Sequence, residues 1–218
     1  MRRITILVLL LLSLCSCKSA YYGTMAKLGW EKRDLLVSRV KKARNEQQVA
    51  KEQFRDALEK FQSVVKVEGG ELQKKYDALR DEYDDSVSRA QVVRDRIDSV
   101  EEVAKDLFAE WKKELGEYKS DQLRRSSQEQ LHTTELRYNE LINAMRRAES
   151  TMEPVLIALH DQVLFLKHNL NARAIASLQS TATEIETDVA KLIYEMEAAI
   201  KEADAFIAEM GNAEPPKQ

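Results

Sequence analysis

The sequence predicts an all-α protein built from two long antiparallel coiled-coil hairpins, docked as an elongated four-helix bundle. Three observations carry that expectation. Apolar residues recur at alternating spacings of three and four over most of the chain, the period of a coiled-coil seam. The phase of this pattern breaks abruptly at two places, each flanked by seams long enough to be hairpin arms. Turn formers and aromatics are scarce: 218 residues hold six Gly, three Pro and 6% aromatics, as suits long helices with narrow seams.

The first seam runs Leu36, Val40, Ala43, Gln47, Ala50, Phe54, Ala57, Phe61 and Val64. Only Gln47 is polar. The second runs Leu72, Tyr76, Leu79, Tyr83, Ser86, Ala90, Val93, Ile97, Val100, Ala104, Leu107 and Trp111, with Ser86 its polar member. Between them lies Glu68-Gly69-Gly70, where adjacent glycines break a helix and supply a turn. Folding back there pairs residue i with residue 140 − i, giving layers such as Phe61/Leu79, Ala57/Tyr83, Phe54/Ser86, Ala50/Ala90 and Gln47/Val93. Large faces small in many of these layers, as a seam of constant width requires. Gly29/Trp111 continues the rule at the open end. Residues 26–117 are therefore expected to form the first hairpin, turning near 68–71.

The second half repeats the design. One seam is Tyr138, Leu141, Met145, Ala148, Met152, Val155, Leu159, Gln162 and Leu166; the other is Ile175, Leu178, Ala182, Ile185, Val189, Leu192, Met196, Ala199, Ala203, Phe206 and Met210. Here residue i faces 344 − i, and the turn falls near 168–174. Pro154 lies inside an arm and is expected to kink it. Residues 118–126 read as a linker, with Ser126 and Glu129 as a capping box. Residues 127–211 form the second hairpin and 212–218 a polar tail. Apolar residues flanking the seams, among them Val37, Leu58, Val87, Leu156, Ile157, Phe165, Ile193 and Ile207, make each hairpin's stripe too wide for two helices alone. Docking of the hairpins answers this; self-association or a protein partner is the alternative.

The N-terminus reads as an export signal. Arg2 and Arg3 precede an apolar run from Ile4 to Leu14 that is too short to span a bilayer. Leu14-Cys15-Ser16-Cys17 then resembles a lipobox. This gives a lipoprotein signal peptide at 1–16, lipidation of Cys17, and an anchor and spacer at 17–25. An ordinary cleaved signal with incidental cysteines is the other reading. Acylated Cys17 would leave no thiol for a disulfide. Lys18 after the cysteine, by its likeness to enterobacterial sorting, favours the outer membrane on its periplasmic side. Removing residues 1–16 takes away two of the 34 basic residues and none of the 37 acids, so net charge moves from −3 to −5. Such a surface offers no nucleic-acid footprint.

Chemistry-bearing motifs are sparse. His132, His160 and His168 lack companion ligands at metal spacing, and no glycine precedes Lys-Ser or Lys-Thr as a phosphate loop requires. No catalytic residue, cofactor or metal is expected. The one notable cluster is the second apex, where Lys167, His168, Asn169, Asn171 and Arg173 gather hydrogen-bond donors at one tip. Helix capping explains such a cluster; contact with a partner or an anion is the functional reading.

The stretches GWEKRDLLVSRV, QFRDALEKFQSVV, LFAEWKKEL and MEPVLIALHDQVLFLKHNLNARAIASL resemble the bacterial family known as domain of unknown function 2959, over roughly residues 20–210. The resemblance implies an envelope lipoprotein and passes on no functional residues. The expectation is thus a lipid-anchored envelope coiled coil, a non-enzymatic spacer or scaffold bound to membrane through Cys17. Two other readings stand beside it. One is a membrane-remodelling helical protein, which calls for a basic face. The other is a cytoplasmic coiled coil of DNA-repair ATPase type, which calls for a phosphate loop and a retained leader.

Overall fold

The computed structural model describes residues 32–66 and 71–212. The signal segment 1–16, Cys17, the spacer, Gly29, the Gly69-Gly70 turn and the tail from 213 lie outside the described residues. Four helices make up the fold: α1 Lys32–Val65, α2 Leu72–Glu114, α3 Asp121–His168 and α4 Ala172–Asn212. The protein is all-α, a helical bundle.

The seams read from the sequence form the core. Leu36, Val40, Ala43, Ala50, Phe54, Ala57, Phe61 and Val64 of α1 are fully buried, as are Leu79, Ala90, Ile97, Val100 and Ala104 of α2. In the second half the same holds for Met145, Ala148, Met152, Val155, Leu159 and Leu166 and for Val189, Leu192, Met196, Ala199 and Ala203. Three of the polar links across α1 and α2 fall close to the expected register, while Gln53 Nε2 reaches Glu82 Oε2 at 2.7 Å, off that register. Lys75 Nζ donates to the Ser63 carbonyl, while Lys32 pairs with Glu110 and Arg96 with Glu46. Each pair lies within two residues of i facing 140 − i. Across α3 and α4, Arg147 pairs with Glu195 and Arg137 with Glu209, within two of i facing 344 − i.

The two hairpins dock side by side, α1 against α4 and α2 against α3. Along α1 and α4 the links are Arg33 Nη2 to the Met210 carbonyl at 2.6 Å, Arg44 to Asp204, Lys51 to Glu197, and Gln62 to Glu186. Along α2 and α3 they are Lys112 to Glu135, Arg146 to Asp98 and Glu101, Arg94 to Glu153, and the Tyr83 ring against His160. Every neighbouring pair is thus antiparallel, and α1 and α3 end, and α2 and α4 begin, at the same end of the bundle. Docking buries much of the flanking stripe: Leu156 and Val163 are buried, and Val37, Leu58, Ile193 and Ile207 pack against the core. Val87, Ile157 and Phe165 stay exposed.

The expected linker at 118–126 is shorter than the sequence suggested. Helix α3 begins at Asp121, capped by Ser120, whose Oγ accepts from the Leu123 amide; the capping box expected at Ser126 and Glu129 lies inside the helix. Tertiary contacts explain the early start. Trp111 Nε1 donates to Ser127 Oγ at 2.8 Å, and Tyr118 Oη lies 3.4 Å from the same oxygen, tying the first turns of α3 to the end of α2. The connection itself tightens through Gly116 N to the Lys113 carbonyl and Glu117 N to the Glu114 carbonyl, three-residue bonds common at helix ends. Pro154 sits within α3, which continues unbroken around it.

Candidate functional site

The second apex is the site singled out by the sequence, and its local chemistry is that of two helix ends meeting. Leu166, the last fully buried residue of α3, precedes exposed Lys167 and His168. The Lys167 ammonium there suits the negative end of the helix dipole. Asn169 caps α3: its amide donates to the Leu166 carbonyl at 3.1 Å and its Nδ2 to the Phe165 carbonyl at 2.9 Å. Asn171 caps α4: its Oδ1 accepts from the Ala174 amide at 3.0 Å, and its own amide donates to the Asn169 carbonyl at 2.8 Å. Each asparagine therefore has one side-chain group engaged in capping. Lys167 and His168 keep their side chains in solvent at the same tip. Arg173 lies in the first turn of α4. Cys17, the lipidation residue read from the sequence, lies outside the described residues.

A second feature was not visible in the sequence. At the opposite end of the bundle, where α1 begins and α4 ends, a cavity of about 430 Å³ lies among all four helices. Trp111, Phe206 and Met210 form its apolar lining, with Ser126, Gln130, Thr133 and Thr134 beside them. Its arginines are engaged: Arg33 donates to the Met210 carbonyl and Arg137 pairs with Glu140 and Glu209. The residues come from four separate elements, so no local pattern announces them.

The densest electrostatic cluster joins α2 to α3. Arg146 reaches Asp98, Glu101 and Glu149, each at 2.6 Å. The carboxylates, Glu101 foremost, hold its guanidinium more firmly protonated than usual. Nearby, Tyr138 packs edge-on against Phe108. Burial, followed by the negative charge of Glu101, pushes its phenol up to about 12. These groups tie helices together. His132, His160 and His168 are dispersed on the surface. Among the described residues no group of three or more His, Cys, Asp or Glu side chains could hold a metal ion. None of the described helices is long and apolar enough to cross a membrane.

Fold and surface together define an all-α four-helix rod with the polar second apex towards one end and a basal cavity towards the other. The family model described as protein of unknown function (DUF2959) matches residues 21–210, and the chain belongs to that family. No curated protein and no solved structure matches it.

Proposed function

We propose that the protein is a lipid-anchored spacer or scaffold of the bacterial envelope with no catalytic role. In this reading lipid on Cys17 holds it to a membrane, on the periplasmic side of the outer membrane, and the apex meets a protein partner. The observation that carries the reading is the polarity of the rod. The chain enters α1 at Lys32, beside Glu110 and Met210 at the basal end. The last turn of α1 and the first turn of α4 lie at the other end, beyond Gln62 and Glu186. At 1.5 Å per residue the 48 residues of α3 extend about 70 Å, so an anchor on the basal side of an upright rod would set the apex about that far from the lipid or further. The Leu14-Cys15-Ser16-Cys17 pattern supports the anchor, and three acyl chains would exceed what stable attachment requires.

Cys17→Ala tests the anchor: radiolabelled palmitate should be lost from the protein and the protein should leave the membrane fraction. Unchanged labelling would overturn it. A photo-crosslinking residue at His168 in intact cells tests the apex. Adducts with one protein, abolished by Lys167→Glu with Arg173→Glu, support the partner reading; adducts unaffected by the charge reversal reduce the apex to a pair of helix caps.

A further inference from the structure

The basal cavity lies where the chain enters the bundle, and there α3 outruns α4. With i facing 344 − i, Asn212 at the end of α4 stands level with His132, so residues 121–131 of α3 pass beyond it by about three turns. The α2 side of this overhang is covered: Trp111 and Tyr118 meet Ser127, and Lys112 pairs with Glu135. Its α4 side is not. Ser126 and Gln130 line the cavity and are exposed, and Leu123, one heptad before Gln130, is 58% exposed. Phe206, Met210 and Trp111 supply the apolar lining. Arg33 Nη2 on the Met210 carbonyl puts the first turn of α1 at the same place.

We infer that this cavity is the seat of the segment preceding α1, with Trp30 inserted past the end of α4 and Leu28 and Gly29 beside it. Register, reach and composition select this occupant. Val37, Arg44 and Lys51 stand one heptad apart on the α4 side of α1: Val37 packs against the core, Arg44 pairs with Asp204 and Lys51 with Glu197. Trp30 is the preceding member of that column. A helix carried back by two residues would thus turn its indole to the side where α4 has stopped. The pairing of i with 140 − i, kept at this end by Lys32 with Glu110, sets Gly29 opposite Trp111, and a glycine leaves room for the large ring in one layer. Leu28 falls one heptad before buried Leu35. Reach is short, since Trp30 is three residues from Arg33, itself part of the cavity wall. A tryptophan can bury roughly 150–250 Å². The tail after Asn212, Ala-Glu-Pro-Pro-Lys-Gln, is the other segment close by. It holds no aromatic or branched aliphatic side chain, and it would bring the Glu214 carboxylate to a wall that already holds Glu129 and Glu209. Seated this way, the segment locks the entry of the chain to the base of the rod. Under the spacer reading only residues 18–27 then remain as tether, reaching at most about 35 Å; the seating itself does not depend on Cys17.

The chain has two tryptophans, Trp30 and Trp111, so Trp111→Phe in the full chain isolates the signal of Trp30. Its emission should be blue-shifted relative to the urea-unfolded chain and shielded from acrylamide. Emission and quenching equal to those of the unfolded chain would overturn the seating. Trp111 belongs to the wall, so a second measurement leaves it intact. A photo-crosslinking residue at position 30 of the full chain should give an intrachain adduct that maps to 126–137 of α3 or 206–210 of α4. The same residue in place of Pro216 should not reach that wall. Adducts from position 30 only to lipid, another protein or a second copy overturn the inference, as does a wall adduct from position 216 in place of position 30. Palmitate labelling of Cys17 in the same samples reads the anchor separately, so either reading can fail without the other.

Discussion

Arg146 on α3 places Nη2 2.6 Å from Glu101 Oε2 on α2, and its Nε 3.0 Å from the other oxygen of the same carboxylate. This two-point contact fixes the height at which the second hairpin docks on the first. Asp98 and Glu149 complete the set around the guanidinium. Its side chain is about one-third exposed, so solvent screens the gain. Arg146→Ala should therefore cost about 1–2 kcal/mol, below the full value of a charged hydrogen-bond cluster. Urea unfolding of a soluble chain starting at Lys18 would measure it, and the cost should shrink in high salt. A salt-independent loss would assign the effect to packing of the arginine stem.

Gln47 is the opposite case. It is fully buried in the seam, and neither its Oε1 nor its Nε2 has a hydrogen-bond partner. An unpaired buried amide costs roughly 1–3 kcal/mol. Gln47→Leu should thus raise stability by about 1–2 kcal/mol in the same assay. A destabilised variant would mean that the amide is satisfied in solution, for instance by buried water.

Phe54 is among the largest fully buried side chains and belongs to the layer containing Ser86, whose hydroxyl turns back to the Glu82 carbonyl at 2.7 Å. Phe54→Ala removes a ring from the fully buried core, and should cost about 3–4 kcal/mol. A loss under 1 kcal/mol would show that the layer collapses around the gap.

Tyr138 gives the fold an alkaline limit. Its phenol is neutral in the folded chain up to about 12, whereas an unfolded tyrosine ionises near 10. The folded value is raised, so this contribution is complete below pH 10 and is lost as pH climbs from about 10 towards 12. Tyr138→Phe should flatten that part of the pH–stability profile relative to the parent chain. Identical profiles between pH 9 and 12 would show that the phenol does not limit alkaline stability.

The register of the first hairpin can be read chemically. Ala50 and Ala90 are both fully buried and satisfy the pairing of i with 140 − i. In the chain starting at Lys18, Ala50→Cys with Ala90→Cys should oxidise to an intramolecular disulfide, which needs Cα atoms within roughly 7 Å. Ala50→Cys with Val100→Cys should not. The reverse outcome would require a different fold-back.

The legible parts of this molecule are those written as period. A seam such as Met152, Val155, Leu159 is visible because each residue is apolar for the same reason, and the break at Glu68-Gly69-Gly70 is visible because glycine pairs disfavour helix. The start of α3 was not legible. Ser120 and Ser126 are equally good caps by residue type, and the choice between them follows from Trp111 and Tyr118 reaching Ser127. The apex was legible as a cluster of donors, but the capping bonds of Asn169 and Asn171 depend on backbone geometry that composition does not encode. The basal cavity had no signature, because Arg33, Trp111, Arg137 and Phe206 share no local pattern.

By itself the sequence determined the helical class, the seams and the pairing rule within each hairpin. These follow from one-dimensional periodicity, which a helix converts directly into a buried face. Only the tertiary structure decided how the hairpins meet: α1 on α4 and α2 on α3, each pair antiparallel. A wide apolar stripe can be satisfied by any partner of matching shape, since burial is non-directional. The choice is made by groups that act at specific distances, such as Arg146 with Glu101, Arg44 with Asp204 and Gln62 with Glu186. Those pairings join residues far apart in the chain, so their geometry exists only once the bundle has formed.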